Sequence, residues 1–271
     1  MPELPEVETT CRGIEPHIVN RVVKAVTIRQ AKLRWPIPEQ LPVILQGKTL
    51  IDVSRRGKYL LLRFSHGHLL IHLGMSGNLR IVSRREDPSY HDHVDIEFGA
   101  DKVLRLNDPR RFGAVLWTSK PVAEHPLIAH LGPEPLTDQF DVDYLWARAR
   151  KRKLAIKTFI MDSKVVVGVG NIYANEALFC AGIRPTKAAA LVSRRKLELL
   201  VEEIKAVLTR AIEQGGTTLK DFVGGDGKPG YFQQQLQVYG RQGQACRRCK
   251  KPLKEIRLGQ RSTVYCTNCQ S

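Results

Sequence analysis

The sequence predicts an α+β protein built of several domains, and three observations carry this prediction. Short strand-like segments fill the first half of the chain, helical periodicity follows them, and two Cys-x2-Cys pairs stand near the C-terminal end. A chain of 271 residues is long enough for such a division. We expect a β-rich domain over residues 1–132, a helical domain over 133–239 and a four-cysteine zinc finger over 240–271.

The first domain is expected to be a β-sandwich or barrel-like fold flanked by helices. Apolar segments, each bounded by Gly, Pro or Ser, lie at residues 22–28, 59–64, 69–73, 94–98, 103–106 and 114–117. Many short strands at this spacing favour two packed sheets or a barrel. The one helix predicted before them covers residues 6–12 and runs toward Gly13.

The second domain is expected to be helical. Beyond residues 131–135 the apolar side chains recur at a spacing of three and four. The predicted helices cover residues 144–150, 154–161, 171–181 and 194–214. The last is the clearest, because one apolar stripe runs from Leu197 to Ile212 and Gly215 ends the pattern. The glycines of residues 223–230 predict a loop.

The C-terminal cysteines form the strongest local signal. Two Cys-x2-Cys pairs are separated by sixteen residues, and their members are Cys246, Cys249, Cys266 and Cys269. This spacing predicts a closed tetrahedral zinc site, which is structural rather than catalytic, and disfavours a redox dithiol. Eight Lys and Arg residues surround the ligands, with Glu255 as the single acid. Such a basic ribbon is typical of a nucleic-acid contact.

The charge balance points in the same direction. Lys and Arg number 43 against 27 Asp and Glu, which gives a formal net charge of +16 and a pI of about 9.8. This excess favours a nucleic-acid partner, with an anionic membrane surface as the second possibility. No apolar run approaches the roughly 20 residues of a spanning helix, and the start of the chain does not match a signal peptide. We therefore expect a protein of the cytoplasm or nucleoid.

The N-terminus carries a candidate nucleophile. Removal of Met1 before a small second residue leaves Pro2 with a free secondary amine, and an α-amino group titrates near pH 8. Such an amine can attack an electrophilic sugar carbon. Glu3 and Glu6 stand close in sequence, where a carboxyl group could exchange the proton. The residues alone leave open both a catalytic N-terminus and an ordinary one.

Motifs over essentially the whole chain decide between these alternatives. They are the Pro-Glu-Leu-Pro-Glu start, Arg-Gly-Lys-Tyr at 56–59, His-Leu-Gly-Met-Ser-Gly at 72–77, His-Asp-His at 91–93, Asp-Pro-Arg-Arg-Phe-Gly at 108–113, Gly-Val-Gly-Asn-Ile-Tyr at 168–173, and the cysteine ribbon with Gln-Arg at 260–261. In this order they resemble the bacterial formamidopyrimidine-DNA glycosylases. The resemblance implies a helix-two-turn-helix element in the second domain and one structural zinc ion without an organic cofactor.

The resemblance also implies an activity and its catalytic residues. The implied enzyme removes oxidised purines, such as 8-oxoguanine and formamidopyrimidines, from duplex DNA, and nicks the strand by β,δ-elimination. Pro2 would attack C1′ and form an imine, and Glu3 would act as the acid and base at the sugar. Lys58 would assist β-elimination, and Arg261 would grip the phosphates beside the lesion.

Further residues are implied to bind the DNA. Met75, Arg110 and Phe112 match the trio that fills the gap left by a flipped nucleotide. Asn171 matches the helix-two-turn-helix element, where its side chain and the helix N–H groups could hold a phosphate. Candidate phosphate or sugar contacts are His72, His91, Arg152 and Lys153. For the basic run at 148–153 a solvated face is the plainer interpretation, and an isolated Met75 or Phe112 would ordinarily be assigned to a core. Residues 217–231 match a loop that closes over the extruded base.

Two alternative functions stay open at this point. The first is an endonuclease VIII-like glycosylase for oxidised pyrimidines, which the Leu4 of the start motif and the Met75, Arg110 and Phe112 trio disfavour. The second is a non-catalytic zinc-ribbon protein that senses damage, which needs no free N-terminal proline. The expected partner is double-stranded DNA with damaged bases or abasic sites, bound by a monomer.

Overall fold

A computed structural model describes residues 2–99, 101–217 and 232–271. The chain forms two compact units, of which the first comprises Met1–Ala129 with Gln214–Tyr231 and the second His130–Glu213 with Phe232–Ser271. The predicted base-closing loop, apart from Thr217, lies outside the described residues. In the part of the chain that is described, no helix combines the length and apolarity needed to cross a membrane.

The first unit contains two four-stranded antiparallel sheets. Its strands are β1 Val23–Ile28, β2 Asp52–Arg56, β3 Tyr59–Phe64, β4 Gly67–His72, β5 Asn78–Ser83, β6 Asp92–Phe98, β7 Lys102–Asn107 and β8 Ala114–Thr118, and its helices are α1 Leu4–Ile18 and α2 Leu41–Leu45. One sheet has the order β1-β6-β7-β5 and the other β2-β3-β4-β8. Both sheets and both helices contribute to one apolar core. The predicted sandwich flanked by helices is confirmed.

Helix α1 is longer than the sequence pattern predicted. It begins at Leu4 and continues past Gly13 to Ile18, instead of ending near the glycine. The reason is its buried stripe, because Val7, Cys11, Ile14 and Ile18 recur at helical spacing and all lie in the core. Burying four such side chains outweighs the roughly 1 kcal/mol that a glycine costs inside a helix.

The second unit is helical and ends in a hairpin. Its elements are α3 Val142–Ala149, α4 Ile156–Ile160, α5 Asn171–Cys180, α6 Arg194–Glu213, β9 Lys254–Leu258 and β10 Arg261–Tyr265. All four predicted helices are present. Helix α4 begins at Ile156 and is shorter than predicted because Ala155 has ψ 136° and forms a β-bridge with Ala188. Antiparallel β9 and β10 lie between the two cysteine pairs. The two cysteines outside the finger are free thiols, of which Cys11 is buried and Cys180 is partly buried.

Candidate catalytic and nucleic-acid-binding site

The N-terminal segment enters the fold as the cap of α1. Pro2 and Glu3 are buried, and only 2% of Glu3 is exposed. The carboxylate of Glu6 accepts hydrogen bonds from the N–H of Glu3 and from the N–H of Thr217, each at 2.8 Å. The first bond satisfies a backbone donor at the start of α1, and the second joins this helix to Thr217, which lies outside any helix. They also fix the backbone that carries Pro2 and Glu3.

Lys58 and His72 lie close together in the sheet that contains β3 and β4. Lys58 occupies the turn between β2 and β3, and His72 pairs with Tyr59 across β3 and β4. Burial and the positive charges of Lys58 and Arg34 lower the pKa of His72 to about 4. Its Nδ1 accepts the N–H of Gly74 at 2.9 Å, so the proton of the neutral ring is on Nε2. This corner therefore offers a cation beside a neutral N–H donor.

Met75, Arg110 and Phe112 form an exposed cluster. Met75 is 42% and Phe112 50% exposed, and Arg110 Nη1 lies 3.7 Å from the Met75 sulfur. The two loops that carry them are held together by Asp108, which is fully buried and accepts the N–H of Gly113 at 2.7 Å and the hydroxyl of Ser76 at 3.2 Å. Two large apolar side chains are thus fixed on the surface, where burial does not explain them.

His91 lies next to this cluster. Its carbonyl oxygen accepts the N–H of Asp108 at 3.0 Å, which joins its backbone to the loop of Arg110 and Phe112. The His91 ring is half-buried and packs 5.0 Å from the ring of Tyr90. The backbone of His91 is therefore fixed to the loop that carries Arg110 and Phe112.

Four of the predicted DNA contacts belong to the second unit. Asn171 is the first residue of α5, and its side-chain Oδ1 accepts a hydrogen bond from the ammonium of Lys157 at 2.6 Å. Arg152 and Lys153 are exposed between α3 and α4, and no described carboxylate forms an ion pair with either. Arg261 is exposed at the first position of β10. Each of these side chains can reach solvent or a bound anion.

The four cysteines form a metal site. Their sulfur atoms lie within 4.8 Å of one another, with 3.9 Å between Cys246 and Cys269 and 3.4 Å between Cys249 and Cys266. Four tetrahedral sulfurs, each about 2.3 Å from one zinc ion, are about 3.8 Å apart. The donor set fits and holds one structural zinc. Four protein ligands leave no open position, so the ion ties the ends of the finger together and takes no part in a reaction.

Three buried polar residues with clear structural tasks were missed by the sequence interpretation. Besides Asp108, they are Lys157 and Glu176. The Glu176 carboxylate accepts the N–H groups of three consecutive residues, Gln237 to Tyr239, which lead into the zinc finger. A signal existed for Lys157, because it interrupts the apolar run Ala-Ile-Lys-Thr-Phe-Ile at 155–160. Asp108 opens the motif at 108–113, which was interpreted only through Arg110 and Phe112, and Glu176 does not stand out in the sequence.

Comparisons with known proteins agree with this architecture along the chain. Residues 1–115 match the formamidopyrimidine-DNA glycosylase N-terminal domain, residues 131–223 match the H2TH domain of the same enzymes, and residues 243–271 match a zinc finger found in FPG and IleRS. The fold and the site thus define a zinc-finger protein with a helix-two-turn-helix domain.

Full-length relatives narrow the class. The formamidopyrimidine-DNA glycosylase of Saccharophagus degradans is 63% identical over 270 residues, which cover 100% of both chains. Among solved structures, the wild-type Lactococcus lactis Fpg in complex with DNA that contains N7-benzyl-Fapy-dG is 34% identical, covers 99% of each chain and has a TM-score of 0.92. The Fpg protein of Thermus thermophilus is 33% identical with a TM-score of 0.89, covering 99% of this chain and 98% of that one. This chain belongs to the formamidopyrimidine-DNA glycosylase family, which confirms the resemblance.

Proposed function

We propose that this chain is a bifunctional DNA glycosylase of base-excision repair that removes oxidised purines from duplex DNA and then cleaves the strand at the abasic site. The observation that carries the proposal is the buried N-terminal segment, in which Glu6 fixes the backbone of Glu3 directly behind Pro2. A non-catalytic DNA-binding protein has no need of an N-terminus held in this way. The full-length similarity to named formamidopyrimidine-DNA glycosylases supports the same activity.

The reaction begins at the amine of Pro2. Its lone pair forms a bond to C1′ as the bond from C1′ to the base breaks, and the base leaves with a proton. Opening of the sugar ring gives an iminium ion between Pro2 and C1′, and Glu3 is the carboxyl group that exchanges the ring-oxygen proton. The iminium then accepts the electrons released when a C2′ proton is lost, and the 3′ phosphate leaves from C3′ in the β-elimination. Loss of a second proton, from C4′, expels the 5′ phosphate from C5′ in the δ-elimination. Lys58 assists the β-elimination.

The lesion reaches Pro2 by base flipping. Extrusion of a nucleotide costs a few kcal/mol and leaves a gap in the stack. The exposed cluster of Met75, Arg110 and Phe112 suits this gap, because it combines two apolar wedges with a guanidinium that can hydrogen-bond the orphaned base. Contacts to backbone phosphates position the DNA without reading its sequence. They are made by the neutral His72 donor and by His91, Asn171, Arg152, Lys153 and Arg261.

The wider organisation follows from this function. We assign the chemistry to a domain over residues 1–132, DNA binding and a base-closing loop to residues 133–239, and a zinc-dependent backbone contact to residues 240–271. The protein acts as a monomer on chromosomal DNA in the cytoplasm. The excess of 43 basic over 27 acidic residues supports a polyanionic partner.

The test compares three duplexes of one sequence, carrying 8-oxoguanine opposite cytosine, thymine glycol opposite adenine, or no lesion. We expect single-turnover nicking to be at least tenfold faster on the 8-oxoguanine duplex than on the thymine glycol duplex, and absent on the undamaged one. The reverse order of rates would favour the endonuclease VIII-like alternative. Tight binding to the damaged duplex without any nicking would favour the damage sensor.

A further inference from the structure

Lys157 is a buried lysine that the proposed reaction does not use. It belongs to α4, and only 1% of its surface is exposed. Its ammonium donates hydrogen bonds to Asn171 Oδ1 at 2.6 Å, to Thr263 Oγ1 at 2.7 Å and to the Ser262 carbonyl at 2.9 Å. An ammonium taken out of water is costly unless its donors are satisfied, and here three acceptors surround it. The site is therefore built around the lysine.

The first consequence concerns the side chain of Asn171. An ammonium only donates hydrogen bonds, so the amide oxygen of Asn171 must face Lys157 and its NH2 group must point the other way. Asn171 is partly exposed, and no described residue accepts a hydrogen bond from this NH2 group. Lys157 thus presents the amide as an outward-facing donor at the start of α5, where helix N–H groups also favour an anion.

The second consequence concerns the β9–β10 hairpin. Ser262 and Thr263, which accept from Lys157, directly follow the exposed Arg261 in β10. Asn175, one turn beyond Asn171 on α5, accepts the N–H of Val264 at 2.9 Å, so the same helix holds the strand at a second point. The ammonium of Lys157 therefore connects the start of α5 to the strand residues that directly follow Arg261.

We propose that Lys157 is a positioning residue for DNA binding, which sets the Asn171 amide and the Arg261 backbone in one fixed arrangement so that both side chains meet backbone phosphates. The proposal rests on the proposed function, because Asn171 and Arg261 are taken there as phosphate contacts. Lys157 itself does not touch DNA, since its ammonium is enclosed by protein acceptors. Its effect on affinity must pass through Asn171 and Arg261.

The decisive test is a coupling measurement. The probe is a duplex with a tetrahydrofuran abasic analogue, which the enzyme cannot process, and the measured quantity is Kd. Lys157→Met keeps a side chain of similar length and removes the N–H donors of the ammonium. We expect this substitution to weaken binding about tenfold or more, as for the loss of a hydrogen bond to a charged group. In an Asn171→Ala, Arg261→Ala background the same substitution is expected to change Kd by less than about twofold.

Controls separate positioning from general damage. Lys196→Met removes a lysine of the same unit that donates to the Ala181 carbonyl at 3.1 Å, and its Kd should stay within about twofold of wild type. One zinc per chain and an unchanged unfolding midpoint verify the fold of each variant. An equal loss of affinity from Lys157→Met in both backgrounds would overturn the proposal, because a purely structural role is additive.

A second variant keeps the proposal testable if Lys157→Met does not fold. Asn171→Asp retains an acceptor for Lys157 and removes the outward NH2 donor. We expect a folded protein whose Kd is raised about as much as in Asn171→Ala, and wild-type affinity in Asn171→Asp would contradict the proposal. If the wild-type protein does not bind the duplex at all, the proposed function fails and not the role of Lys157.

Discussion

The Glu6 carboxylate fixes the backbone of the N-terminal segment. It is 1% exposed and shares its two oxygens between the N–H groups of Glu3 and Thr217, the second of which lies 211 residues away in sequence. A buried carboxylate is retained in such a place only with its hydrogen bonds satisfied. Under the proposed function, this fixed backbone carries the amine of Pro2 and reduces the entropy lost when the covalent intermediate forms.

His72 gives a prediction in pH. Its folded pKa of about 4 lies below the ordinary value near 6.5, so the unfolded chain takes up the proton first as the pH falls. The free energy of unfolding therefore decreases from about pH 6.5 downward, and the loss is complete near pH 4. We expect His72→Gln to remove about 1 to 2 kcal/mol of the decrease between pH 7 and pH 5. Urea unfolding at the two pH values measures it.

For His72, the informative quantity is the change in the free energy of unfolding between pH 7 and pH 5, compared between the wild type and His72→Gln. The glutamine variant loses stability at pH 7 because the Gly74 N–H is bound differently, and this constant offset does not count. Equal changes in the free energy of unfolding for the wild type and His72→Gln between pH 7 and pH 5 would show that the histidine is not held neutral.

At this scale the sequence indicated which residues carry chemistry better than it indicated what holds them. Pro2 and Lys58 were proposed through motifs and the cysteine cluster was predicted from its spacing, while Lys157 and Asp108 were not assigned any task. The physical reason is that a buried hydrogen bond depends on atoms far apart in the chain, such as Lys157 and Thr263, 106 residues apart. The sequence contains the donor and the acceptor but does not show that they come into contact in the fold.

At the scale of elements, two loops create the exposed trio. The loop after β4 carries Met75, and the loop after β7 carries Arg110 and Phe112. They approach so closely at Gly74 that a Cβ there would lie 2.5 Å from the carbonyl carbon of Phe112, and Gly74 has a φ of +62°. Only glycine combines this backbone conformation with this contact.

Gly74→Ala is expected to lower the free energy of unfolding by about 3 kcal/mol and to weaken binding to the abasic-analogue duplex. The added methyl group meets backbone rather than a movable side chain, so the loops must separate. Gly47→Ala is the matched control, because Gly47 has a similar φ of +75° and nothing within 4 Å of its Cβ position. The control should cost about 1 kcal/mol, the conformational penalty alone, and leave Kd unchanged. Equal losses in both variants would contradict the close packing of the loops.

The zinc finger is a second element with a measurable role. Its small core consists mainly of the cysteines with Val238, Leu253 and Val264, so little apolar surface remains to hold it without the metal. Removal of zinc with a chelator is expected to abolish binding to the damaged duplex, while strand-type circular dichroism from the first unit persists. Readdition of zinc should restore binding. A stripped protein that binds with unchanged Kd would contradict the role of the hairpin.

The elements themselves were predictable where burial sets a period. The stripe of α6 and the continuous apolar strands β3 and β4 were identified in advance. Strand β2 was missed, since Asp-Val-Ser-Arg-Arg at 52–56 has one buried residue and its strand conformation comes from pairing with β3. Helix α1 was predicted too short, because local glycine propensity was weighed without the core that its far end covers.

For the whole molecule, the basic residues behind the net charge of +16 are distributed over both units. Of the cationic residues in the proposed function, Lys58 and Arg110 belong to the first unit, and Arg152, Lys153 and Arg261 belong to the second. Backbone contacts fix the register of the DNA, and the choice of base is made elsewhere. The proposed chemistry needs only the amine of Pro2, the carboxyl group of Glu3 and the ammonium of Lys58, and in the same proposal the zinc finger serves DNA binding.

The proposed mechanism depends on a covalent bond between Pro2 and C1′, and borohydride trapping detects this bond. The mature protein, without Met1, is incubated with a duplex that carries 8-oxoguanine opposite cytosine in the presence of sodium borohydride, then digested and analysed by mass spectrometry. Reduction of the iminium is expected to leave a stable deoxyribose adduct on the N-terminal peptide, at the nitrogen of Pro2. An adduct on Lys58 or another lysine, or strand cleavage without any trapped adduct, would contradict the account.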